Sequence, residues 1–274
     1  MSTTYRNRTK LAFEALEERA VMSGNVQVQV IAGDLVVTGD NAANEIEIVS
    51  TGVIDGFKVV GVGTTINGRS GPFIFDNFDF SDDIQIDMKG GRDIVRMYGA
   101  DADIGDLDAW NDLTINMGEG NDCLFLKNIQ AGGQGAADSD IIIDMGRGNN
   151  LLRADFLDVG DDLRISTPDI SPVSSTTKTR LDLRDLTVAD QVDIDLRWCI
   201  GVVNLNRVRC DDLLVDLYGQ NDRLSVLKST ARVVDLDGGA GDDDLNLLNN
   251  SSQIHTASNR AAFKSPTAKS IFYS

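Results

Sequence analysis

Cysteine, histidine and aromatic residues are scarce in this sequence, and each scarcity narrows the function. The cysteines are Cys123, Cys199 and Cys210, an odd number without framework spacing, so the chain is not a disulfide-stapled scaffold. Cys123 stands at the start of an apolar run and reads as a small buried hydrophobe. The single histidine, His255, falls in the tail, and zinc-ligand clusters are absent. Aromatic residues make up 6% of the chain, which weakens the case for an aromatic sugar-binding groove. No apolar run approaches the ~18 residues that span a bilayer. Neither a nucleophile elbow nor a phosphate loop is present. Basic residues are outnumbered too: 25 Lys and Arg face 43 Asp and Glu, a net charge of −18. Such a surface repels nucleic acid and anionic membranes and attracts metal cations and basic partners.

What is abundant is a short unit of strand, Gly/Asp turn and strand. Its fullest copy is Asp235-Leu236-Asp237-Gly238-Gly239-Ala240-Gly241-Asp242-Asp243-Asp244-Leu245-Asn246-Leu247. Upstream copies lie at residues 84–94, 113–124, 141–151 and 213–222, while 163–166 and 192–196 keep the first strand and lose the turn. Taking Ile86, Ile115, Ile143, Ile165, Ile194, Val215 and Val234 as equivalent gives intervals of 19 to 29 residues. A unit of that length cannot close a core alone and must stack on its neighbours. The expected fold class is all-β, a parallel β-helix or β-solenoid of about seven coils. Alternation points Ile84, Ile86, Met88 and their equivalents inward. It points Asp87, Asn116, Asp144, Ser166, Asp195, Asp216 and Asp235 outward as one column. With coils ~4.8 Å apart, adjacent carboxylates repel by roughly 1 kcal/mol per pair. Bound cations would relieve this; a solvated acidic face is the plain alternative.

Four segments follow from the pattern. Residues 81–250 hold the regular coils, with extra residues after the second strands around 101–111, 131–139 and 168–178, the last a projecting loop. Residues 24–80 form a strand-rich amino-terminal cap and first coil, whose hairpins close an end that would otherwise invite strand addition. Residues 251–274 lose the repeat, turn basic with Arg260, Lys264 and Lys269, and read as a cap or a disordered tail. Residues 1–23 differ from all the rest. Arg6, Arg8 and Lys10 precede a short stretch at 11–22 with the spacing of an amphipathic helix, too short and acidic for a secretory apolar region. Leu16-Glu17-Glu18-Arg19 behind that basic stretch resembles the LEPR-type amino-terminal motif of exported and surface proteins of planctomycete bacteria. Ala20-Val21-Met22 stands where that family has a pair of leucines. The resemblance implies export to the cell surface or beyond.

Residues 238–246 carry a second resemblance. They fit G-G-x-G-x-D-x-U-x, the nonapeptide of RTX (haemolysin-type) calcium-binding β-rolls, at every defined position. The resemblance implies parallel strands with calcium held by turn carbonyls and aspartates, Asp243 being the side-chain ligand and Gly238, Gly239 and Gly241 lying in the carbonyl-supplying turn. Gly118, Gly120 and Asp122 fit with Met117 at the first glycine. Gly146 and Gly148 fit with Asn150 at the aspartate. That family stacks coils of two nonapeptides, whereas the coils here are longer and show the turn on one side. Calcium is the cofactor this implies; Gly/Asp turns used only for their backbone geometry are the alternative. No catalytic residue stands out. The many aspartates, with Arg96, Arg153 and Arg184 as outward basic residues, make a polysaccharide lyase or glycoside hydrolase the runner-up to a non-enzymatic structural or adhesion-type protein. The partners expected are calcium and extracellular polysaccharide or other surface proteins, not nucleic acid.

Overall fold

The computed structural model of the protein describes residues 24–50, 57–75, 83–99, 107–109, 111–132, 138–169 and 177–255. The amphipathic stretch, the basic tail and the centre of the projecting loop lie outside these residues. Among the described residues every regular element is a strand. One sheet of 21 strands, mostly parallel, curls into a nearly closed, barrel-like wall.

The wall is built from three rows in which each repeat pairs with the next. The first row runs from Asp34–Thr38 through Ile84–Asp87, Leu113–Asn116, Ile141–Asp144, Leu163–Ser166 and Gln191–Asp195 into residues 212–216 and 233–237. The second row runs from Glu45–Ser50 and Ile94–Tyr98 through the start of Cys123–Ala131 and its successors to Asp244–Leu248. One residue in left-handed conformation then bends the chain, and the pairing skips it and resumes beyond. Asn128, Phe156, Asp185, Arg207, Lys228 and Asn249 occupy this corner, with φ between 52° and 60°. Beyond the corner the chain forms a third row, from Leu107–Ala109 to residues 251–252. Residues 254–255 pair with 233–234 of the first row, so the repeat expected to be lost from residue 251 continues to His255.

Because the pairing is in register, side chains of one parity from all three rows meet in a single apolar cluster. Ile84, Ile86, Met88 and their expected equivalents are buried. Each such side chain contributes about 1.5–3 kcal/mol. No helix of the described residues is long and apolar enough to cross a membrane. At the amino-terminal side the partners turn antiparallel. Asn25–Ile31 lies along Asp34–Thr38, and Phe57–Gly61 lies between Glu45–Ser50 and Phe73–Phe75.

Three further expectations need correction. Val215 pairs with Leu236 and Val234 with Leu213, so the last repeat is shifted by two residues and recurs after 21. Val234 and Leu236 share one parity, and apolar alternation alone cannot choose between them. The turn chooses: Gly239 donates its N–H to Asp237 Oδ1 at 2.8 Å, which fixes Asp237, not Asp235, as the last outward residue. The extra residues at 168–178 fall between Leu163–Ser166 and Lys178–Val188, in the first turn and not after a second strand. Cys123 faces the outward side and is half-buried; all three cysteines are free.

Candidate turn-and-ladder site

The turn between the first and second rows carries every residue singled out for metal binding. It opens with a side-chain-to-backbone hydrogen bond. Oδ1 of Asp87, Asn116, Asp144, Asp216 and Asp237 accepts the N–H two residues on, at 2.8–3.2 Å. The outward column is therefore a set of turn-forming groups, not merely a solvated face. Asp195 is held instead by Arg197, whose Nη2 lies 2.8 Å from Oδ2 and whose guanidinium lies 4.8 Å from the Tyr218 ring centre. Burial raises the pKa of Asp144 and Asp216.

Successive turns then stack backbone on backbone. Gly118, Gly146 and Gly239 hold equivalent left-handed positions, with φ of 79°, 67° and 71°. A Cβ on Gly146 would stand 1.8 Å from Gly118 O, and one on Gly239 1.8 Å from Tyr218 O. Gly120, Gly148 and Gly241 make the next close approach, with a Cβ falling 1.5–1.6 Å from the carbonyl oxygen of the turn below. Gly238 is buried where other repeats place Met88, Met117, Met145 and Leu217. Close stacking thus accounts for these glycines without any ligand.

The turn ends on a buried polar ladder. By register Asn44, Asp93, Asp122, Asn150, Thr179, Gly201, Asp222 and Asp243 are equivalent. The N–H of Asn44 donates to Asp93 Oδ1 at 2.7 Å, that of Asp93 to Asp122 at 2.8 Å, and that of Asp122 to Asn150 at 2.9 Å. Thr179 and Gly201 interrupt the series. It resumes where Gly201 donates to Asp222 Oδ1 at 2.6 Å and Asp222 to Asp243 Oδ1 at 2.8 Å. The Oδ1 of Asp93, Asp122, Asn150, Asp222 and Asp243 is thereby satisfied across repeats, whereas that of Asn44, at the end of the ladder, is buried without a partner.

The second oxygens are not satisfied. Oδ2 of Asp93, Asp122, Asp222 and Asp243 is buried without a hydrogen-bond partner, and these residues are at most 2% exposed. Desolvation, opposed by the ladder N–H bonds, pushes Asp93 and Asp222 up to about 7 and Asp122 up to about 6. Asp243 is raised for the same reason. At Asn150 the corresponding atom is a nitrogen: Nδ2 donates to Met145 O at 2.6 Å and Gly146 O at 3.3 Å. The ladder side chain thus turns its second atom toward its own turn's carbonyls. There a carboxylate oxygen needs a proton or a cation. Hard oxygens, confinement and an unanswered charge fit calcium.

A second ladder lay unnoticed in the sequence. Asp83 donates its N–H to Asp34 Oδ1, Asp112 to Asp83, Asp140 to Asp112, Asp162 to Asp140 and Gln191 to Asp162, at 2.9–3.2 Å. Its signal was an aspartate directly before each first strand. Asp140, Asp161 and Asp162 gather their carboxylates there. Arg164 already supplies positive charge, with Nη1 3.2 Å from Asp140 and Nη2 2.6 Å from Asp162. Of the outward arginines, Arg96 pairs with Glu45 at 2.5 Å and Arg153 with Asp182 at 3.7 Å. No protein-family model, curated protein or solved structure matches the chain.

Proposed function

We propose that the protein is an exported, non-enzymatic structural or adhesion-type component of bacterial surface or extracellular material. It is a calcium-stabilised β-solenoid of about seven coils, with residues 24–80 closing one end. The calcium reading rests on the four buried carboxylate oxygens without a partner. Asp93, Asp122, Asp222 and Asp243, with the carbonyls of their turns, would hold the ions. The ions would supply the positive charge those oxygens lack. The structural reading is supported by what the polar groups do: turn bonds, two ladders and Arg–Asp pairs all join one repeat to itself or to the next.

Export rests on the basic stretch and residues 16–19. Fractionation of the native host should place the protein outside the cytoplasm, and deleting residues 1–23 should retain it inside. An unchanged distribution after deletion removes the export reading. A polysaccharide-acting reading draws on one open groove of about 280 Å³, lined by Asp193, Asp195, Asp216, Tyr218, Asp235 and Asp237. We expect no turnover of acidic or neutral polysaccharides, with or without calcium. Reducing-end release abolished by Asp216→Asn would promote that reading instead.

A further inference from the structure

Two residue types occupy the buried ladder, and they solve one problem differently. At Asn150 the amide is complete: Oδ1 accepts Asp122 N–H, and Nδ2 donates to Met145 O and Gly146 O. Asn44 also directs Nδ2 into its own turn, 2.8 Å from Ala42 O and 3.1 Å from Asp40 Oδ1. Asp93, Asp122, Asp222 and Asp243 keep the Oδ1 bond and leave Oδ2 buried and unpartnered. The four aspartates are not spread evenly. Asp93 and Asp122 are neighbours between the two asparagines, and Asp222 and Asp243 are neighbours beyond the break at Thr179 and Gly201.

We propose that cation binding along the ladder is confined to two separate stations, Asp93 with Asp122 and Asp222 with Asp243, and that the asparagine amide is the built-in, cation-free equivalent at the same position. This rests on the calcium reading above and goes further. It groups the four carboxylates into two shared sites, Asp93 with Asp122 and Asp222 with Asp243. It makes the stretch around Asn150 independent of cations. Neighbouring repeats lie about 4.8 Å apart, so each pair of carboxylates can be bridged by one hard cation. An amide replacing a carboxylate is nearly isosteric and brings the missing donor with it.

The test uses the full chain at about pH 8, with melting followed by circular dichroism in EDTA and in calcium chloride. Calcium stoichiometry is read by titration calorimetry. The unmutated protein should gain a calcium-specific rise in melting temperature and bind at two stations. Asp122→Asn and Asp243→Asn should each raise the melting temperature in EDTA and remove about half of the calcium-induced rise. The double variant should lose nearly all of it. No calcium-induced rise in the unmutated protein overturns the calcium reading and this inference together. A rise that survives both substitutions overturns the inference alone and leaves the ions to other oxygens. Variants less stable in EDTA than the parent show that the amide is not the equivalent we assign.

Discussion

Gly146→Ala and Gly63→Ala form a matched pair that separates two reasons for a glycine. Both positions have φ of +67°. A left-handed alanine costs roughly 1–2 kcal/mol wherever it stands. At Gly63 a new Cβ meets nothing within 4 Å, so the strain is the whole effect. At Gly146 the Cβ would fall 1.8 Å from Gly118 O and 2.7 Å from Gly118 C, which are backbone atoms of the stacked turn. They can yield only if two repeats separate, and separation weakens both the ladder bond from Asp122 to Asn150 and the strand pairing on either side. Each buried hydrogen bond lost costs about 1–3 kcal/mol, so Gly146→Ala should cost about 3–5 kcal/mol in all. Urea unfolding followed by circular dichroism reads both variants on one scale, with the slope checked for a change in surface exposed. Equal losses at the two sites would refute the claim that turns stack in backbone contact.

The inward and outward parities make a second pair. Ile143 is 1% exposed between Ile115 and Ile165, so Ile143→Asp should cost several kcal/mol in urea unfolding. Asp144→Asn should be neutral or stabilising, because asparagine keeps the 2.8 Å bond to Gly146 N–H and removes a desolvated charge. The ladder also dictates a pH response in EDTA. Asp93 and Asp222 lie near 7 and Asp122 near 6 when folded, against about 3.9 unfolded. The stability their neutral forms provide is full below pH ~4 and is lost as pH rises through about 6 to 7. Lowered carboxylates such as Asp182 and Asp185 titrate below that window and leave it flat. Melting temperature should therefore fall between about pH 5 and pH 8, and a flat or rising profile would contradict it.

Much of the fold could be read in the sequence because a strand writes its burial with period two. Ile86, Ile115 and Ile143 announced both the first row and its parity, and they pair as expected. The same periodicity could not distinguish Val234 from Leu236, since a shift of two preserves every face. Only the turn bond at Asp237 carries that information. The corner residues were illegible for another reason. Phe156, Arg207 and Lys228 adopt left-handed backbone without glycine or asparagine to signal it, held there by pairing on both sides. The site was half legible. Asp122 and Asp243 stood out through their glycines, yet the glycines answer to turn stacking and the aspartates to a ladder. A ladder is a relation between residues 21 to 49 apart in the chain: Asp93 and Asp222 keep the aspartate of the unit with its glycines shifted, and Asn44 belongs to it without any local mark.

The most direct measurement is the melting temperature of the full chain in EDTA, in calcium and in magnesium at matched ionic strength. Sites built from a pair of carboxylates and turn carbonyls belong in the extracellular range, roughly 0.1–1 mM. At tenfold that concentration each station adds about 1.4 kcal/mol, so two add about 3 kcal/mol. For a chain of this size that is a rise of roughly 6–10 °C. Screening of the acidic surface would raise the melting temperature equally with either ion. Irregular oxygen-rich turns instead suit calcium's larger, flexible shell over magnesium's strict octahedron. The account predicts a rise with calcium well above that with magnesium. Equal rises with both ions, or none with either, would contradict it.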